Sequence, residues 1–159
     1  MLSDLSDIVN SRPVGIGCKE TTKKDGLIMP DSITTRYFLG ANSAHGFFSL
    51  YDGFAQPEDG VFLHVIKGGP GCGKSSFMKR IGHRAEKAGQ DVEYISCSGD
   101  PDSLDGVWIP ALGVAYADGT APHVLDPAYP GGGGSYLDLG AFYDEAALRP
   151  KLEIGRAHV

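Results

Sequence analysis

Val61-Phe62-Leu63-His64-Val65-Ile66-Lys67-Gly68-Gly69-Pro70-Gly71-Cys72-Gly73-Lys74-Ser75-Ser76 runs from a near-continuous apolar stretch into a glycine-rich turn. A strand buried on both faces of a parallel sheet has this apolar character. The pattern changes directly after the turn. Phe77, Met78, Ile81 and Ala85 recur on one side, and Lys79, Arg80, Arg84 and Lys87 fall largely on the other. That spacing predicts an amphipathic helix, stopped at Gly89. Val92–Cys97 then reads as the next strand. Strand, loop, helix and strand make one βαβ unit with a right-handed crossover. The expected fold class is α/β: a three-layer αβα arrangement on a mainly parallel sheet.

Gly68-x-x-x-x-Gly73-Lys74-Ser75 fits G-x-x-x-x-G-K-[ST] at every fixed position. The chemistry needs these residue types. A loop that wraps a phosphate with consecutive backbone N–H groups requires backbone shapes that glycine tolerates. The following helix aims its positive end at the anion. Gly68, Gly69, Pro70, Gly71, Cys72, Gly73, Lys74, Ser75 and Ser76 are therefore the expected nucleotide-binding residues. Lys74 should bridge the β- and γ-phosphate oxygens, and the Ser75 hydroxyl should ligate Mg²⁺. The implied ligands are ATP and Mg²⁺.

Mg²⁺ also needs an acid at the end of a neighbouring strand. Asp118, behind the apolar lead-in Val114–Ala117, is the first choice and joins Lys74 as the second catalytic residue; Asp126, behind His123-Val124-Leu125, is the alternative. Asp100, Asp102 and Asp105 follow the Val92–Cys97 strand, where α/β sites gather, and are candidates to orient water or accept a substrate proton. For every one of these acids a turn or capping role is the simpler reading. The glutamate that many P-loop ATPases place after the Mg²⁺-linked Asp is missing: Gly119 follows Asp118 and Pro127 follows Asp126. Guanine specificity is disfavoured. Thr22-Lys23-Lys24-Asp25 matches [NT]KxD but precedes the phosphate loop, and no DxxG occurs. Gly131–Gly134 followed by Ser135 is not a transporter-ATPase signature and reads as a linker or turn.

The chain has 159 residues, enough for one domain and one core. With 20 acidic against 14 basic residues the net charge is -6, which argues against a general nucleic-acid or anionic-membrane surface. Cys18, Cys72 and Cys97 form no CxxC pair and no metal-ligand spacing, as for reduced thiols in a cytosolic protein. No apolar run approaches a membrane span, and Met1–Asp7 is acidic, unlike a signal peptide, so the cytoplasm is the expected compartment. Cys72 lies at a helix start, where thiolates are favoured and oxidation would block the loop; a small side chain in a tight turn is the simpler role. His45, His123 and Trp108 read as loop, core or packing residues, and Arg36 and Arg149 are only available candidates for an arginine finger.

The expected organisation is a polar segment over 1–35, an incomplete P-loop domain over 36–152 and a non-native tail over 153–159. Short strands are predicted at 36–39 and 47–51, with 40–46 as their loop and 56–60 as a turn. A strand is predicted at 114–117 and a shorter one at 123–126, and one helix over 139–148. Glu153-Ile154-Gly155-Arg156-Ala157-His158-Val159 resembles the translated read-through of a DNA-sequencing adapter. It is left out of the fold reading, and the chain is expected to be a piece of a longer one. At roughly 30 residues per βαβ unit, only two or three units fit between the loop and that tail. Either the N-terminal part supplies strands to the same sheet, or the sheet is incomplete.

Four blocks carry a family resemblance: Arg36–Ala41 with Gly46-Phe47, Ile66–Gly71 through Met78-Lys79, Asp100–Val107, and Asp118–Pro127. Together they resemble a poorly characterised family of prokaryotic P-loop ATPase-like proteins, over roughly residues 36–149. The resemblance implies ATP binding at Gly68–Ser76 and a second P-loop half in full-length members, but no substrate. The Gly131–Gly134 run departs from the family pattern. Three functions compete: an ATPase or ATP-driven switch acting on another macromolecule, a small-molecule or nucleotide kinase, and a non-catalytic nucleotide-binding module.

Overall fold

The computed structural model describes residues 32–121 and 124–149. Its strands are β1 (Thr34–Tyr37), β2 (Gly40–Ser43), β3 (Gly46–Ser49), β4 (Phe62–Lys67), β5 (Val92–Ser96), β6 (Leu104–Ile109), β7 (Val114–Asp118) and β8 (Gly134–Asp138). The helices are α1 (Lys74–Lys87) and the short α2 (Glu145–Leu148). Six strands form one sheet in the order β1-β5-β6-β7-β4-β8, and β2 and β3 form a separate hairpin. β1 runs parallel to β5, and β4 is parallel to both β7 and β8. β6 alone runs against its neighbours. The result is a mixed α/β fold on a mostly parallel sheet.

β4 lies between β7 and β8, which explains its near-continuous apolar run. Val65 and Ile66 are both fully buried, on opposite faces, as successive strand residues must be. On the Ile66 face, Met78 and Ala85 of α1 pack with Val92, Tyr94, Leu104, Val107 and Ile109. On the Val65 face, Leu63, Ile95, Ala115 and Ala117 meet Tyr51, Phe54 and Leu125. Leu39 and Phe47 close that side. So among the described residues one face carries the long helix, and the other carries the hairpin and the 3-10 turn Tyr51–Gly53. Among the described residues no helix covers the Val65 face, where the expected three-layer arrangement would place one. The Gly- and Ser-rich stretch 40–53 has no 3.6-residue period with which to build a helix.

Other expectations are corrected in detail. The stretch 40–46 is not all loop: Gly40–Ser43 pairs antiparallel with β3. A side chain at Gly40 would sit 2.3 Å from the Phe47 ring, so the hairpin closes only over a glycine. The 123–126 strand does not form over residues 124–126, and His123 lies outside the described residues. The helix over 139–148 is two short pieces, a 3-10 turn at Gly140–Phe142 and α2. Tyr143 between them is extended, and Asp144 restarts the helix by accepting a hydrogen bond from the Ala147 N–H at 3.0 Å. Gly131–Gly133 is a turn, with Gly134 opening β8. β6 is a strand the sequence reading did not expect. β1 begins at Thr34, inside the segment read as polar, so the N-terminal part does supply a strand to the sheet. Residues 1–31 and 150–159, including Cys18, Thr22–Asp25 and the tail over 153–159, lie outside the described residues.

The tightest approach of α1 to the sheet is at Gly82. A Cβ there would lie 2.3 Å from the Tyr94 hydroxyl and 2.4 Å from its ring, and Tyr94 is fully buried. Alanine gains roughly 1 kcal/mol of helix propensity over glycine. Overpacking a rigid site costs about 1–3 kcal/mol, so the steric effect wins. Gly82→Ala should lower the urea midpoint of unfolding. Gly53→Ala, where a Cβ meets nothing within 4 Å, should leave it nearly unchanged. A Gly82→Ala midpoint at or above the parent value would contradict this packing.

Candidate functional site

β4 ends at Lys67 and the chain turns sharply. Gly68, Gly71 and Gly73 take φ of 152°, 75° and 95°, conformations that disfavour side chains. The inner side of the turn is tight, with a Cβ at Gly68 only 2.6 Å from Cys72 Sγ. The outer side is open, since a Cβ at Gly71 or Gly73 would meet nothing within 4 Å. α1 starts at Lys74 from a left-handed Gly73, with no side-chain cap. The N–H groups of Lys74, Ser75 and Ser76 lie in the first turn and have no partner within the helix. A glycine turn with an open rim therefore hands over to a helix start whose donors are not used by a cap.

Lys74 is only 9% exposed. Its ammonium donates to Gly68 O at 2.7 Å and Gly69 O at 3.1 Å, and lies 3.5 Å from Asp118 Oδ2. These three oxygens surround an ammonium with three protons, and Cys72 Sγ is a longer, fourth contact at 4.0 Å. A buried cation without such partners would be strongly disfavoured. Asp118 reaches it because β7 lies beside β4 in parallel, with Asp118 opposite Ile66. The other carboxylate oxygen accepts from the Thr120 N–H at 2.9 Å, which fixes the rotamer. Ser75 Oγ accepts from the Leu104 N–H at 2.9 Å, tying the helix start to β6. A hydroxyl has a second lone pair, so this contact leaves acceptor capacity.

A cavity of about 510 Å³ lies over this turn. The glycine turn and the start of α1 form one wall, and Cys97, Ser103, Asp105 and Asp118 contribute to the other. The structure thus brings Pro70 through Ser76 and Asp118 to one cavity, with Gly68 and Gly69 beneath as acceptors for Lys74. Asp126 is elsewhere: it is exposed and paired with Lys67 at 3.0 Å, and that lysine holds its carboxyl below the usual carboxylate range. Lys67 also donates to Gly119 O and Leu125 O, which pins the irregular stretch after β7.

The three acids after β5 separate cleanly. Asp100 accepts from the Asp102 N–H and the Ser103 hydroxyl, a turn-closing role. Asp102 is exposed, and its carbonyl accepts from Lys79. Asp105 is 4% exposed and lines the cavity, with the Tyr51 hydroxyl donating to Oδ2 at 2.9 Å. Burial and the neighbouring Asp105 charge push the Tyr51 hydroxyl far above the ordinary range, so it stays a proton donor. Burial also raises the Cys97 thiol. Tyr51 carried no local signal in the sequence, because it joins the site only through the fold. Tyr143 is another such residue: its hydroxyl sits 3.0 Å from where a Gly69 Cβ would be. Burial, then the neighbouring Cys72, raises this hydroxyl.

Arg36 stacks on the Tyr94 ring at 4.5 Å, and Arg149 lies 3.9 Å from Glu145; neither lines the cavity. His45 is in the hairpin turn, and Trp108 packs edge-on against Phe54. Among the described residues no group of three or more His, Cys, Asp and Glu could hold a metal. Mg²⁺ at a nucleotide site takes only one or two protein ligands beside phosphates and waters, so Ser75 and Asp118 fit that ion. No described helix is long and apolar enough to cross a membrane. No protein-family model, curated protein or solved structure matches this chain.

Ser75 has a structural duty that can be separated from any ligand. Leu104 is buried, and its N–H loses its acceptor in Ser75→Ala. An orphaned buried donor costs about 1–3 kcal/mol. Ser75→Ala should lower the urea unfolding midpoint, and Ser75→Thr, which keeps the hydroxyl, should restore most of the loss. Equal midpoints for parent and alanine variant would remove the bond from the account of the fold.

Proposed function

We propose that this chain binds ATP with Mg²⁺ through Gly68–Ser76, as a P-loop domain, and hydrolyses it. The observation that carries the reading is a convergence at one bend. A glycine turn at the end of β4, the start of α1, Lys74 and the β7 carboxylate Asp118 all meet there. The motif predicts the first three, whereas Asp118 arrives by strand pairing.

The roles follow from the chemistry of each group. The loop N–H groups and the start of α1 bind phosphate oxygens. Lys74 exchanges its loop carbonyls for phosphate oxygens, trading neutral acceptors for charged ones, which form the stronger bonds. Ser75 and Asp118 would hold Mg²⁺, which would supply charge neutralisation to the phosphates. Catalysis on this reading is positioning and charge stabilisation.

The resemblance to the prokaryotic ATPase-like family belongs to the same proposal. Its two most distinctive blocks, Asp100–Val107 and Asp118–Pro127, contribute Asp100, Ser103, Leu104, Asp105 and Asp118 to the cavity wall. The polar end formed by Ser103, Asp100 and Lys79 leaves a kinase as the second reading, with a hydroxyl-bearing acceptor there. Phosphate release from ATP without an added acceptor separates the two.

Lys74→Ala should abolish ATP·Mg²⁺ binding by calorimetry while the far-UV spectrum is retained. Equal affinity in variant and parent would sink the site. Asp118→Asn should weaken Mg²⁺-dependent binding more than Mg²⁺-free binding. Asp126→Asn should leave both unchanged, since its partner is Lys67.

A further inference from the structure

The missing glutamate after Asp118 leaves the proposed reaction without an obvious group to activate water. β6 offers one. It runs antiparallel between β5 and β7, and Gly106 pairs with Ala117. One step along that ladder, Asp105 comes opposite Asp118. Cross-strand partners point to the same face. Both carboxylates line the cavity that contains the phosphate loop. Leu104, the residue before Asp105, is bonded through its N–H to the Ser75 hydroxyl at 2.9 Å. Asp105 is thus fixed relative to both residues read as Mg²⁺ ligands.

Its surroundings are those of a held group, and not of a surface acid. Asp105 is 4% exposed, and the Tyr51 hydroxyl donates to one of its oxygens at 2.9 Å. Tyr51 is itself 2% exposed within the core on the far face of the sheet. The bond therefore connects a rigid core side chain to the cavity wall. Charged aspartate is seldom this buried without a reason. The Cys97 thiol is hydrogen-bonded to Asp105 as well, so side chains from two elements set the orientation of the carboxylate at the cavity wall. Asp100 also lines the cavity, but it is exposed and spends its oxygens closing its own turn, and Asp102 is exposed and outside the cavity lining.

We infer that Asp105 is the catalytic carboxylate that orients and deprotonates the attacking water, and that Tyr51 is its positioning residue. This rests on the nucleotide reading of the same cavity. The step balances. The water oxygen bonds to the γ-phosphorus, and the bond from that phosphorus to the β,γ-bridging oxygen breaks. The electron pair stays on the β-phosphate of ADP. One water proton passes to an Asp105 oxygen and on to solvent, and the other stays on the released phosphate.

The test uses the full chain and two measurements, ATP·Mg²⁺ affinity by calorimetry and phosphate release in a single turnover. Asp105→Asn keeps the shape and an acceptor for Tyr51. It should bind ATP·Mg²⁺ within about threefold of the parent and release phosphate roughly 10²–10⁴-fold more slowly, the usual scale for a general base. Release at the parent rate overturns the inference. So does a parent protein that binds ATP·Mg²⁺ but never releases phosphate, an outcome that leaves the binding site itself standing. A parent that binds no ATP removes the nucleotide reading and this inference together, and calorimetry shows that before any variant is made. Should Asp105→Asn not fold, Tyr51→Phe decides. It keeps the ring in the core and should lower kcat by roughly ten- to a hundredfold, the scale of a lost positioning contact, with KM unchanged. An unchanged kcat there overturns the inference.

Discussion

Lys74 is the point at which the loop, the start of α1 and the β7 carboxylate are tied together. A cation at 9% exposure is held by three oxygen acceptors that converge on it, with Cys72 Sγ beside them at 4.0 Å. Two are carbonyls of the loop just before it, and they can accept only because the glycines let the chain curl back. The third, Asp118, belongs to another strand, and its position depends on β7 lying parallel to β4 in register. Loop shape, helix start and sheet order are thus coupled through one ammonium group. The coupling also explains why the bend is rigid without side-chain caps. Lys74 closes the loop from within, while Ser75 ties the first turn to β6.

Those contacts are suited to exchange. The carbonyl partners are neutral, so an anionic oxygen arriving from the open side of the loop competes well for the same protons. Asp118 behaves differently, because Thr120 anchors its other oxygen and keeps the carboxylate in place as the lysine reorients. On the proposed nucleotide reading, the site needs one movable partner set and one fixed one. The asymmetry between loop carbonyls and strand carboxylate supplies both.

Local pattern carried much of this fold, and its failures have a common cause. β4, the glycine turn after it, α1 and β5 are contiguous, and each announces itself by periodicity or by glycine spacing. Asp118 was readable because an apolar lead-in precedes it, and its preference over Asp126 has a geometric counterpart in the Lys74 contact. β6 was hidden because Asp105 and Gly106 interrupt its apolar run. Both are there for tertiary reasons: Asp105 faces the cavity, and a Cβ at Gly106 would lie 3.1 Å from Ile95 and 3.2 Å from the Tyr116 carbonyl. The single helix expected over 139–148 failed for a similar reason. Tyr143 is drawn out of helical shape and sits against Gly69 of the loop. In each case a long-range contact overrode a short-range preference.

The antiparallel β6 is the feature with most consequence for chemistry. A parallel strand in its place would present only its carboxyl end to the cavity. Running the other way, β6 enters the sheet at that edge, so its first residues lie next to the last residue of β7. Backbone direction thereby places a second carboxylate beside Asp118 without any insertion after it. The arrangement also frees residue 119 for a different task. A side chain there would collide with Val65 at 2.3 Å and the Leu125 carbonyl at 2.9 Å, so a glutamate directly after Asp118 cannot be accommodated. The close packing that excludes an acid at position 119 and the strand reversal that brings Asp105 to the same rim are two sides of one geometric solution.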